Sequence, residues 1–264
     1  MLRLDDSRFA RHFSEFVSLA GAGAGLDAYV ASLEAKHRLF TGALAAPQRL
    51  DLEAAATLLE AVFTARRKLY PLIEALGAEE FRDLASGLVH GEGALEVRLS
   101  AFCDALPYPD GVGREARAAR RKLRGAALDF AAELLHLADP VAHPLMTRWV
   151  WDASTSSGAL RELMDVSDSV ARIDLAASPE TFGAARAWLI ERLAGQGIYR
   201  DQHWLADLTL GMAYVSYFRA MTGGALGSDF TRASTPEDQL RKLLGIDAER
   251  PGGRSRVRRA TALH

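Results

Sequence analysis

The chain has 264 residues, of which 49% are hydrophobic and 25% are charged, with a formal net charge of −2. This composition is typical of a globular protein with a buried core. A charge so close to zero excludes a global electrostatic attraction to nucleic acid or to acidic lipid.

The amino-terminal half predicts a series of amphipathic helices. Apolar residues recur at helical spacing in each of them. Asp51 is placed to cap the third helix, Pro71 kinks or splits it, and Gly77 ends it. The predicted ranges are 6–19, 26–45, 52–76, 79–90 and 94–105.

A long two-faced helix is predicted from Arg114 to Ala138. Its apolar residues form one narrow stripe. The opposite face of its first half is strongly basic and consists of Arg114, Arg117, Arg120, Arg121 and Arg124. Pro140 and Pro144 end the helix and make residues 139–144 a turn.

Further helices are predicted in the second half of the chain. Hydroxyl residues at 154–157 precede the segment 159–164 and favour a capped helix start. Ser178 and Thr235, each followed by proline, begin two more helices. Between them, residues 199–221 are apolar almost all round, which is typical of a helix buried on every side. We expect this segment to be the central core helix.

The fold class predicted from these patterns is all-α. No apolar alternation is long enough for a strand, and about ten helices make one multi-helix domain over residues 1–246. The Arg-rich tail, residues 247–264, is too polar to pack and is predicted to be disordered.

We expect a soluble, cytoplasmic protein without a membrane-bound part. The amino terminus lacks the apolar core of a signal peptide. The longest uncharged apolar run, Leu208 to Phe218, is shorter than the roughly 20 residues of a membrane-spanning helix. The single cysteine, Cys103, cannot form an internal disulfide, which is consistent with a reducing compartment.

Two Glu-x-x-His pairs are candidate metal ligands. They are Glu34 with His37 and Glu133 with His136, each on a predicted helix, where this spacing places both side chains on one side. The pairs resemble the repeated unit of ferritin-like carboxylate proteins, which implies a di-iron or di-manganese site. The alternative for the same residues is a hydrogen-bonded core histidine at position 37 and a helix-end histidine at position 136.

Two groups of residues are candidates for binding a partner or an anion. The first is the basic helix face, with Arg114, Arg117, Arg121 and Arg124, together with five arginines of the tail. The second is a polar corner, in which helix-start amides, hydroxyls and arginines would hold an anion. The corner comprises Arg148, Trp151, Ser156, Ser157 and Arg161. The alternatives are a solvated helix face and a capped helix with a buried Arg–Asp pair.

The leading functional hypothesis is a non-catalytic protein-binding protein, that is, an adaptor, assembly factor or regulator. No nucleophile motif is present, and Cys103 has no evident histidine partner, so the sequence does not favour nucleophilic catalysis. No cofactor is expected, and homo-oligomerisation is possible. One alternative is the helical metalloprotein; a second is a nucleic-acid-binding protein acting through the basic helix and the tail.

Overall fold

The all-α prediction is confirmed. A computed structural model describes residues 2–23, 25–165, 172–222 and 235–247. In these ranges the chain forms eleven α-helices and one short 3-10 helix, Pro47–Arg49, and no strand, only two isolated backbone bridges. The α-helices are α1 Asp6–Gly21, α2 Leu26–Ala45, α3 Leu52–Glu60, α4 Tyr70–Leu76, α5 Ala78–His90, α6 Leu95–Asp104, α7 Arg114–Ala138, α8 Ala159–Leu163, α9 Pro179–Gly195, α10 Gln202–Thr222 and α11 Pro236–Leu243.

The chain divides into two compact units. The first unit comprises Met1–Ala35 and Pro140–Leu243, and the second unit comprises Lys36–Asp139 and Leu244–His264. The predicted division into a domain and a tail at residue 247 stays a prediction. Most of that tail, residues 248–264, lies outside the described residues.

Helix α10 is the core of the first unit, as predicted. It contacts α1, α8, α9 and α11. Side chains from Trp204 to Ala213 are buried, and Val215 is 0% exposed. The burial ends before the helix does, because residues 219–221 are exposed. The buried residues overlap the charge-free stretch Leu208 to Phe218 only in part, because Asp207 is buried and residues 216–218 are half-buried.

The second half of α7 is the core of the second unit. It packs against α5 and α6, which also contact each other. The ring of Phe130 lies 6.3 Å from the rings of both Phe81 and Phe102. The predicted apolar stripe is buried from Ala126 onward, but Ala119 in the same stripe is exposed. The apolar stripe is therefore buried only in the second half of the helix, and its members before Ala126 are exposed or half-buried.

The predicted third helix is two helices in the structure. Helix α3 begins after Asp51, whose carboxylate accepts a hydrogen bond from the Ala54 amide at 2.8 Å, and ends at Glu60. Turns follow until α4, where Pro71 lies in the first helical turn. Proline needs no amide partner at that position, so it starts the second helix rather than bending the first.

Burial of α10 makes a sharp stability prediction. Replacing Val215 with Asp places an unpaired carboxylate in the core and should cost at least about 3 kcal/mol of the free energy of unfolding. The matched control is Ala220→Asp in the exposed end of the same helix, which should change stability little. Thermal and urea unfolding of both variants measures the difference, and equal stabilities would contradict the burial of α10.

Candidate functional site

The first 11 residues of α7, 114–124, form a basic arm. They include six cationic side chains and one acidic side chain. At 100° per residue, the five arginines lie within about 120° of the helix circumference and extend over about 15 Å of its length. Arg114, Arg117, Arg120 and Arg121 are exposed, and so are Ala118, which lies beside Arg114, and Ala119 on the opposite side. Solvent therefore reaches most sides of the first two turns of the arm, whereas Leu123 and Arg124 at its other end are half-buried.

The end of the arm nearest the buried half of α7 is fixed to the second unit. The Arg124 guanidinium donates a hydrogen bond to the Asp104 carboxylate at the end of α6. The Arg120 guanidinium lies 5.5 Å from the centre of the Tyr108 ring. Among the described residues, Arg114, Arg117 and Arg121 have no ion-pair partner. Three arginines are thus left for an external anion.

The polar corner is a closed turn with its hydroxyls in use. Asp152 and Ser157 exchange backbone hydrogen bonds of 2.8 and 3.2 Å, which close the turn. The Asp152 carboxylate accepts from the Ser154 amide and hydroxyl at 2.9 and 2.6 Å. The hydroxyls of Thr155 and Ser157 are 2.7 Å apart. The side chains that suggested an anion site satisfy one another.

The other members of the corner are structural as well. The Trp151 indole is buried and donates to the Leu175 carbonyl at 3.1 Å. Ser156 is buried with φ of +50°, and its hydroxyl oxygen accepts from the Ile173 amide at 3.1 Å. Arg161 donates to the Ser156 carbonyl at 2.6 Å. The structure thus brings Ser156 and Arg161 together. Arg148 is half-buried and interacts with other residues.

The predicted cap of α8 is wrong. Gly158 occupies the capping position, and no side chain accepts a hydrogen bond there. Its φ of +122° and the closeness of the Val150 carbonyl leave no room for a larger residue. The hydroxyls before it are held by the turn, so they cannot reach the helix amides.

The candidate metal ligands have other partners. The Glu133 carboxylate accepts a hydrogen bond from Lys36 Nζ at 2.5 Å. His37 Nδ1 lies 2.7 Å from the Leu137 carbonyl oxygen. His136 is buried in the last turn of α7, and Glu34 is half-buried on α2. Across the described ranges, no group of three or more His, Cys, Asp or Glu is placed to hold a metal ion.

Sequence reasoning missed a buried charged cluster around Lys36. This residue is 7% exposed, and its ammonium also donates to the Leu244 carbonyl at 2.7 Å. Burial raises the pKa of Glu133, and the ammonium of Lys36 opposes this shift. One signal was available, since Lys36 stands one helical turn before Phe40, at the edge of the apolar stripe of α2.

Residues 244–247 are anchored in the second unit. Arg66 is 4% exposed and donates to the Asp247 carboxylate at 3.2 Å. Gly245 has φ of +66°, and a Cβ atom there would overlap the Ala61 carbonyl oxygen. Asp247 was predicted as the first residue of a disordered tail. Asp247 is paired with a buried arginine, and the predicted disorder of the rest of the tail stays a prediction.

Cys103 is placed as a core residue. It is 2% exposed on α6, and burial raises the pKa of its thiol to about 11. The thiol is therefore protonated at neutral pH, whereas a nucleophilic cysteine needs the thiolate.

No family model, curated protein or solved structure matches this chain. In the described part of the chain, no single helix is long and apolar enough to cross a bilayer. Helices α1 and α2 reach the required length and composition only when they are taken together across a sharp bend.

The Lys36–Glu133 pair predicts a non-additive double-mutant cycle. Lys36→Met leaves a buried carboxylate without its counter-ion and should cost about 3–5 kcal/mol of unfolding free energy. Adding Glu133→Leu removes that carboxylate, so the double variant should be more stable than the Lys36→Met single variant. Urea unfolding of the wild type, the Lys36→Met and Glu133→Leu single variants and the double variant measures the coupling. Additive losses would mean that the two charges do not depend on each other.

The Arg66–Asp247 pair predicts that the last described residue matters for stability. Asp247→Ala should cost about 2 kcal/mol, because a buried guanidinium loses its carboxylate. Asp104→Ala is the matched control, since the side chain of Asp104 is 63% exposed and that of its partner Arg124 is 42% exposed. That change should cost less than about 1 kcal/mol. Equal melting temperatures for the two variants would contradict the anchoring of residues 244–247.

Proposed function

We propose that the chain is a non-catalytic binding protein that holds an anionic macromolecule on its basic arm. The observation that carries this proposal is the exposed helical segment 114–124 with three arginines that have no ion-pair partner in the described structure. Arginine presents a planar fork of donors that matches carboxylate and phosphate groups. A row of such side chains on a helix is suited to a partner with closely spaced negative charges.

A non-catalytic role is supported by how the other candidate residues are used. The Glu133 carboxylate is bound by a buried ammonium, and His37 lies against a helix-end carbonyl. Ser156 and Arg161 stabilise a turn, and Cys103 is a protonated core thiol. These contacts give each residue a role in packing. A chemical step is therefore not needed to explain why these residues are present.

From the sequence alone, a protein with an acidic surface is the first expected partner of the arm, and a nucleic acid is the alternative. With a protein partner, the chain would be an adaptor, assembly factor or regulator in the cytoplasm, with possible homo-oligomerisation. These roles stay predictions. The arm is the surface on which each of them depends, so its capacity to hold a polyanion is the first property to measure.

The test compares two triple variants with the same loss of charge. In the arm variant, Arg114, Arg117 and Arg121 become Ala. In the control variant, exposed arginines outside the arm become Ala, namely Arg3, Arg172 and Arg200. On a heparin column, the arm variant should elute at clearly lower salt than the wild type, and the control should elute nearly unchanged. Equal shifts in the two variants would show that net charge, rather than the arm, governs polyanion binding.

A further inference from the structure

We infer that the macromolecule held by the basic arm is duplex DNA, bound through its phosphates without recognition of base sequence. The inference rests on the proposed function, because it names the partner of the same surface. Three features of the arm decide between the classes of polyanion: the kind of side chains it lacks, the spacing of its cations, and the exposure of its non-basic side.

The arm offers arginines but lacks the aromatic and large apolar anchors on which protein interfaces also depend. Binding energy between proteins is concentrated in a few large side chains, chiefly Trp, Tyr and Arg, that become buried in well-packed pockets. Apart from its cations, the arm contains only Glu115, three alanines and Leu123. Exposed ion pairs alone contribute little to the affinity of two proteins. A protein partner would thus find charges on the arm but no apolar side chain to surround them.

The phosphates of a duplex need no such anchor. Double-stranded DNA carries about one negative charge per 1.7 Å of axis, and cations that replace its condensed counter-ions gain affinity from their release. The arm is about 15 Å long and carries its arginines along one face, so Arg114, Arg117 and Arg121 can reach successive phosphates. Arginine alone is sufficient for this mode of binding.

A DNA duplex fits the arm better than a single strand or duplex RNA. Single strands are held by bases stacked on aromatic rings. Tyr108 beside the arm has its ring under Arg120, and its hydroxyl donates to the Cys103 carbonyl at 2.7 Å. The major groove of B-DNA, about 12 Å wide, admits a helix, whereas that of duplex RNA is deep and narrow. The exposed alanines at 118 and 119 keep the arm slender enough to lie against such a groove.

Apart from its arginines, the arm has no side chain of the kinds that recognise bases. It contains no Asn or Gln, which pair with adenine. Phosphate contacts carry no sequence information directly. Binding should therefore be equal, within a few-fold, for duplexes of unrelated sequence.

The test uses the full chain and fluorescence anisotropy with labelled probes. The probes are two unrelated 20-bp DNA duplexes, a 20-nucleotide single strand, a 20-bp RNA duplex and polyglutamate. Both DNA duplexes should bind, and log K should fall linearly with log salt concentration. Each arginine removed from the arm should lower the magnitude of that slope by about 0.9, so the arm triple variant should lower it by about 2.7. The Arg3, Arg172 and Arg200 control should leave it unchanged.

The outcomes separate the inference from the proposed function. If the single strand, the RNA duplex or polyglutamate binds more tightly than DNA and depends on the arm, duplex DNA is the wrong partner and the binding role of the arm stands. DNA binding could instead be retained in the arm triple variant and lost when Arg254, Arg256 and Arg258 become Ala. In that case the tail is the binding surface and both proposals fail. Both also fail if no polyanion binds. Unchanged melting temperatures of the variants check that the fold is intact.

Discussion

The buried ammonium of Lys36 is the interaction on which the packing of the second unit depends. It joins three segments that are far apart in the chain, because its partners are the Glu133 carboxylate on α7 and the carbonyl of Leu244. A charge that is only 7% exposed is stable in the interior only when such partners surround it. The position of α7 and the path of residues 244–247 are therefore set together.

Local sequence signals predicted most of the helices. Capping residues such as Asp51 and Ser178, and the prolines near the ends of helices, act within a few residues, so their effect is visible in the sequence itself. The bounds of α7 were predicted to the residue. The Lys36–Glu133 and Arg66–Asp247 contacts were not predicted, since they join residues 97 and 181 positions apart and leave no local pattern.

The two candidate binding regions show how far side-chain chemistry alone can mislead. The polar corner and the basic face both offered cations and hydrogen-bond donors. In the corner, backbone bonds between Asp152 and Ser157 fold the chain back, so its hydroxyls meet one another instead of a ligand. On the arm, helical spacing alone predicted the arginine row. The exposure of Ala118 and Ala119 could be learned only from the tertiary structure, since alanine is equally common in cores.

The arginine row also works against the helix that carries it. Arg117 and Arg121, and likewise Arg120 and Arg124, are four residues apart, and like charges at this spacing repel each other. Gly113 offers no side-chain cap at the amino end, and little tertiary packing compensates there. The arm is therefore a helix held together mainly by the propensity of alanine and arginine, and any anion that neutralises the row also relieves its internal repulsion. Binding of an anion to this segment and the stability of its helix are thus thermodynamically coupled, so each should increase the other.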